Sequence, residues 1–110
     1  MKNIKSLKEF VNERLSYNFS EEIDKILSTL DDKGIKYEDL AKGDDSLYFV
    51  TVVPFSLSFT KSFIGVIDVH IIVEVDGITD SLGVYDFDKE FDMMIDVISN
   101  FDYDEYKKHN

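Results

Sequence analysis

The sequence predicts an α+β fold: an antiparallel sheet of three to four strands covered on one face by helices, in the order α-α-β-β-β-α. Three observations predict it. Apolar residues recur at helical spacing up to about residue 33, the period changes to two from Leu47, and helical spacing returns beyond Asp88. With 110 residues the chain reads as one domain spanning 1–110, because two domains of half that size would each be too small to build a core.

Ile4, Leu7, Phe10, Val11 and Leu15 fall on one helical stripe, and Ser6 stands three residues before Glu9 as in a capping box, so a first helix is expected over 7–16. A second is expected over 21–33. Ser20 suits its N-cap, and Glu21 and Glu22 suit the positive end of its dipole. Ile23, Ile26, Leu27 and Leu30 supply the stripe, and Gly34 a left-handed C-terminal cap. Ile35 and Tyr37 read as a short strand or a further turn, and 39–46 as an acidic loop.

Leu47 to Val53 alternates with both sets largely apolar, which predicts a strand covered on both faces. Pro54 lacks an amide donor and marks an edge, a bulge or a break. Phe55, Leu57 and Phe59 alternate with Ser56, Ser58 and Thr60, and 63–75 reads as the strongest strand of the chain. Asp76-Gly77 suits a two-residue type I′ turn. That turn sets a register of Val75 with Ile78, Val73 with Asp80, Ile71 with Leu82 and Val69 with Val84. Asp68, His70, Ile72 and Glu74 then share the opposite, polar face with Thr79, Ser81, Gly83 and Tyr85. A last helix begins near Asp88, with Phe91, Met94, Ile95 and Ile98 as its stripe, and 102–110 reads as a polar tail in which Asp102, Asp104 and Glu105 crowd a helix C-terminus.

Composition narrows the function. Hydrophobic residues at 44% and charged residues at 32% are those of a globular protein. Twelve Lys and Arg against 23 Asp and Glu give a net charge of −11, which opposes direct binding to nucleic acid or to anionic membranes. The absence of cysteine excludes disulfides and thiolate chemistry. The basic start lacks an apolar stretch and a cleavage site, so a cytoplasmic location is expected.

The charge is segregated. Residues 68–105 hold twelve acids and only Lys89, whereas residues 1–67 hold eleven acids and nine Lys and Arg. On a helix beginning near Asp88, Asp88, Asp92 and Asp96 would form a row spaced by about 6 Å, of the order of the spacing between phosphates along a nucleic-acid strand. Like charges four residues apart weaken the helix that carries them, so a row kept at that cost points to a basic partner.

Catalytic signals are weaker. Asp68, His70 and Glu74 share a strand face, but Asp68 and Glu74 are about 20 Å apart and cannot hold one ion. Asp76-Gly77-Ile78-Thr79-Asp80 lacks the remaining ligands of a calcium loop. There is no nucleophile elbow and no phosphate-binding glycine loop. No enzyme activity, cofactor or metal is expected. The expected function is that of an inhibitory binding protein occupying a basic surface of a nuclease or other nucleic-acid-handling enzyme. Phage anti-defence proteins, anti-CRISPR proteins among them, and toxin-immunity proteins share this general character of size and charge. The expected contacts are Asp76, Asp80, Asp86, Asp88, Asp92 and Asp96, with Tyr85 as an aromatic anchor. The alternatives are a structural or regulatory interaction module, homodimeric through a free sheet edge, and, third, a small enzyme or ligand binder centred on Asp68 and His70.

Overall fold

The computed structural model describes residues 18–108. The helix expected over 7–16 lies outside them. Among the described residues the order is α1 (Ser20–Asp32), β1 (Glu38–Lys42), β2 (Ser46–Val50), β3 (Pro54–Lys61), β4 (Ile67–Val75), β5 (Ile78–Asp86), α2 (Phe91–Ser99) and α3 (Tyr103–Lys108). The five strands form one antiparallel meander in the order β1-β2-β3-β4-β5, one or two strands more than the sequence predicts.

Helix α1 forms where its stripe requires. Ile23, Ile26, Leu27 and Leu30 are buried. Its start is one residue earlier than expected, so Ser20 is the first helical residue and Phe19 the N-cap. The Ser20 amide donates to Asn18 Oδ1 at 2.8 Å, which satisfies one of the free amides of the first turn. At the other end Gly34 takes a left-handed φ of 75°. Its amide donates to the Asp31 carbonyl and the Ile35 amide to the Leu30 carbonyl, the paired closure of a Schellman motif.

The segment expected as a loop over 39–46 is mostly strand. β1 pairs with β2 through Ala41 and Tyr48 and through Lys42 and Leu47, and the Gly43 amide donates to Ser46 O across a tight turn. Ladder hydrogen bonds to a neighbour override the poor strand preference of Glu38-Asp39-Leu40-Ala41-Lys42. The expected strand from Leu47 breaks at 51–53, and Pro54 opens β3, a position where its missing amide costs the ladder nothing. Only one face of β2 is covered: Leu47 and Phe49 are buried while Tyr48 is exposed.

The expected strand over 63–75 also divides. Ser62 to Val66 is a turn, closed by Ser62 N to Val66 O and by Val66 N to Ser62 Oγ, and Phe63 stands fully exposed on it. β4 then alternates strictly, burying Ile67, Val69, Ile71, Val73 and Val75. The β4–β5 hairpin forms as the Asp76-Gly77 pair dictates, with left-handed φ values of 54° and 81°.

The expected hairpin register holds from Val75–Ile78 to Ile72–Ser81 and then shifts. A bulge at Leu82 places Gly83, not Leu82, opposite Ile71, and Tyr85, not Val84, opposite Val69. Tyr85 therefore lies on the covered side, packed against the core, and Val84 takes its place on the open face beside His70.

Helices cover the face carrying Phe49, Phe55, Ile71 and Val73, all of them fully buried. Phe19 of the α1 entry meets Phe59 at 5.5 Å between ring centres, and Phe101 meets Phe55 edge-on at 5.7 Å. Lys25 of α1 sets its ammonium 4.5 Å from the ring centre of Phe91 and 5.5 Å from that of Phe87, tying α1 to the start of α2. The tail expected beyond Asp102 is the helix α3. Asp102 Oδ1 accepts from the Glu105 amide, so Asp102 caps a new N-terminus; Asp104 and Glu105 in its first turn are favoured by the dipole rather than opposed.

Candidate partner-binding surface

The seven residues singled out in the sequence fall into two groups. The first is engaged within the molecule. Asp76 Oδ1 accepts a hydrogen bond from the Tyr103 phenol at 3.0 Å, and Asp76 Oδ2 lies 3.9 Å from Lys107 Nζ. Asp80 accepts from the Tyr106 phenol. Asp86 Oδ1 accepts the amides of Asp88 and Lys89, each at 3.0 Å, and the Asp86 amide donates to Glu90 Oε1 at 2.8 Å. Asp86 and Glu90 thus organise the turn into α2. Tyr85 is half-buried, and its phenol curls back to donate to Leu82 O at 2.7 Å. An anchor on the open face is therefore not its position, because the bulge turns it to the other side.

The second group is Asp88, Asp92 and Asp96, all exposed. Among the described residues no ion pair or side-chain hydrogen bond engages these three carboxylates. The helix that was to align them begins at Phe91, so Asp88 stands in the preceding turn and regular helical spacing joins only Asp92 and Asp96. The cause is the Asp86–Glu90 closure, which uses residues 86–90 as a turn. Within α2, Met94, Ile95 and Ile98 bury the opposite stripe, which sends Asp92 and Asp96 outward, about 6 Å apart along the axis. The engaged acids of the hairpin tip and those of the α2 turn are at opposite ends of β5, about 26 Å apart at the usual strand rise.

The ionisation behaviour follows the contacts. Tyr106 is raised above the ordinary phenol value, first by its hydrogen bond to Asp80, then by burial and by the Asp80 charge. Lys107 is raised by its hydrogen bond to Tyr103 and by the Asp76 carboxylate. Tyr37 is raised by burial, with Asp31 adding charge repulsion and a hydrogen bond.

On the open sheet face His70 lies between Ser58 of β3 and Val84 of β5, and its Nε2 is 2.8 Å from Ser81 Oγ. Asp68 pairs with Thr60 and Asp86, and Glu74 with Thr79. Among the described residues no three His, Cys, Asp or Glu side chains gather as a metal site. No described helix is long and apolar enough to cross a membrane.

Two features of the surface escape the sequence reading. One is the lock between α3 and the hairpin, legible only as the spacing of Tyr103 and Tyr106 against that of Asp76 and Asp80. The other is the apolar turn at Phe63 and Ile64, for which Gly65, with its left-handed φ of 92°, is the signal. Comparison with protein-family models, with curated proteins and with solved structures finds no match for this chain.

Proposed function

We propose that the protein is a small acidic inhibitor that occupies a basic, nucleic-acid-binding surface of another protein, as phage anti-defence and toxin-immunity proteins do. The observation that carries this reading is the separation of charge: twelve acids against one lysine over residues 68–105, in a chain whose net charge is −11. Asp88, Asp92 and Asp96 support it further, because they are exposed and, among the described residues, their charge is not spent on internal contacts. An acidic surface of this kind speeds encounter with a positive cleft and opposes the nucleic acid that would otherwise fill it. The proposed contact set therefore centres on Asp88, Asp92 and Asp96. Asp76, Asp80 and Asp86 contribute field rather than contact, since their oxygens already serve α3 and the α2 turn.

The rival reading, a homodimer through a sheet edge, gains little from the strands themselves. Both edge strands carry an irregularity, β1 between Glu38 and Ala41 and β5 at Leu82. Bulges of this kind blunt an edge against further pairing. The test of the inhibitor reading is ionic strength. A partner captured from host extract on the immobilised protein should be released steeply between roughly 0.1 and 0.5 M salt, as screening shortens the reach of exposed charges. Capture that is indifferent to salt contradicts it.

A further inference from the structure

Among the described residues the helices pack on one face of the sheet and leave the other open. The strand registers arrange the open face in rows that cross the strands. One row is Ala41, Tyr48, Ser56, Ile72 and Ser81. The next is Ser46, Ser58, His70 and Val84. Neither row holds an Asp, Glu, Lys or Arg, in a chain of which 32% is charged. Acids stand outside this belt on both sides. Glu38 and Glu74 lie one row beyond the first, opposite Val50 and Thr79. Asp68 lies one row beyond the second, opposite Thr60. The lysines of the strands are on the covered side, Lys42 opposite the buried Leu47 and Lys61 opposite the buried Ile67.

The belt has the make-up of a contact surface. Tyr48 and Val84 are exposed and Ile72 is half-buried, so apolar groups meet solvent inside a polar rim. The polar pair at its centre is already engaged: His70 Nε2 is 2.8 Å from Ser81 Oγ, which also accepts the Gly83 amide at 3.3 Å. Covering a satisfied pair costs less than burying either group alone.

Charge and dimensions define the occupant. Asp68 and Glu74 are six residues apart on β4, about 20 Å at the usual strand rise. An α-helix is about 10–12 Å across, so one helix laid along the belt leaves room on each flank for a Lys or Arg side chain to reach the acids. A second copy of this face would set acids against acids, and an anionic membrane or a nucleic acid would meet the same repulsion. The ion pairs Lys42–Asp24 and Lys107–Asp76 lie elsewhere and leave Glu38, Glu74 and Asp68 to a partner.

We infer that the open sheet face docks a basic amphipathic helix of a partner protein, its apolar stripe on Tyr48, Ile72 and Val84 and its flanking cations on Glu38, Glu74 and Asp68. This surface is on the far side of the sheet from α2, so it stands apart from Asp88, Asp92 and Asp96. The test is a titration of the isotope-labelled full chain with a synthetic peptide of leucine and lysine, followed by amide NMR shifts. A peptide of about fourteen residues, with its leucines on one stripe, forms a helix about 21 Å long, enough to cross the five strands. The largest shifts should fall on the two uncharged rows. Tyr48→Ser with Val84→Ser should weaken binding roughly ten-fold, and so should Glu38→Gln, Asp68→Asn and Glu74→Gln together, with the native spectrum kept in both. Asp88→Asn, Asp92→Asn and Asp96→Asn together should leave the shifts in place, so this surface and the α2 surface fail or succeed separately. Absence of shifts on the two rows, shifts centred on α2 instead, or unchanged affinity in either set of face variants would overturn the inference.

Discussion

The phenol of Tyr103 donates a hydrogen bond to Asp76 Oδ1 at 3.0 Å, fastening α3 to a hairpin turn that precedes it by 27 residues. Tyr106 repeats the contact one helical turn later on Asp80, and Lys107 adds an ion pair to Asp76. Three side chains of one short helix thus hold two acids of the hairpin, Asp76 in its turn and Asp80 on β5. Without these anchors a six-residue helix would not persist, since helices of that length are unstable alone.

The lock carries a pH dependence. Tyr106 and Tyr37 both have folded values above the unfolded phenol value of about 10. A raised value means that the protonated phenol is favoured by folding. Its contribution is therefore complete below about pH 10 and is lost as pH rises through the folded value. Lys107, also raised, acts with the same sign above its own unfolded value. Thermal unfolding should show stability falling above about pH 10, and Tyr106→Phe should flatten that fall while lowering stability at neutral pH. An unchanged alkaline profile in Tyr106→Phe would detach the lock from Tyr106.

Gly83 is the residue on which the β5 bulge depends. Its φ of 118° is one that L side chains rarely adopt, and an added Cβ would lie 3.0 Å from the Tyr85 phenol oxygen. Gly83→Ala should cost about 1–3 kcal/mol by chemical denaturation. Removing the contact as well, with Tyr85→Ala, should not restore stability, because the backbone strain is independent of the ring. A neutral Gly83→Ala would show that the bulge relaxes without cost.

Asp102 has the geometry of an N-cap, its Oδ1 on the Glu105 amide at 3.0 Å and its carbonyl on the Tyr106 amide at 2.9 Å. Asp102→Ala should cost about 1 kcal/mol, and Asp102→Asn much less, because asparagine keeps the acceptor. The loss should appear first as faster amide exchange in residues 103–108. Equal effects of the two substitutions would assign Asp102 a role through its charge alone.

The parts of this fold legible in the sequence are those governed by local chemistry. The α1 stripe, the Gly34 cap and the Asp76-Gly77 turn each need only neighbours in sequence, and each forms as its residues require. The parts that were illegible depend on tertiary context. β1 lacks strand-forming residues and exists because β2 pairs with it. The Leu82 bulge reverses the sides of Val84 and Tyr85, and its one local signal is a glycine inside a strand pattern. Phe63 and Ile64 read as strand because apolar residues usually seek a core, whereas the Ser62 closure sets them outside it. The acidic row shortened for the same reason: Asp86 and Glu90 spend the residues before Phe91 on a turn, so Asp88 never enters the helix.

The proposed inhibitor surface stands or falls on three exposed carboxylates. Asp88→Asn, Asp92→Asn and Asp96→Asn change charge with almost no change of shape, and none of the three carboxylates takes part in an internal side-chain contact among the described residues. The triple variant should therefore unfold at the temperature of the parent, within roughly the ±0.5 kcal/mol expected of surface changes. The decisive measurement is side-by-side capture of a partner from host extract at low salt by the parent and by this variant, with the captured protein identified. The account predicts a basic, nucleic-acid-handling protein held by the parent and lost from the variant. The same partner held equally by both would contradict it.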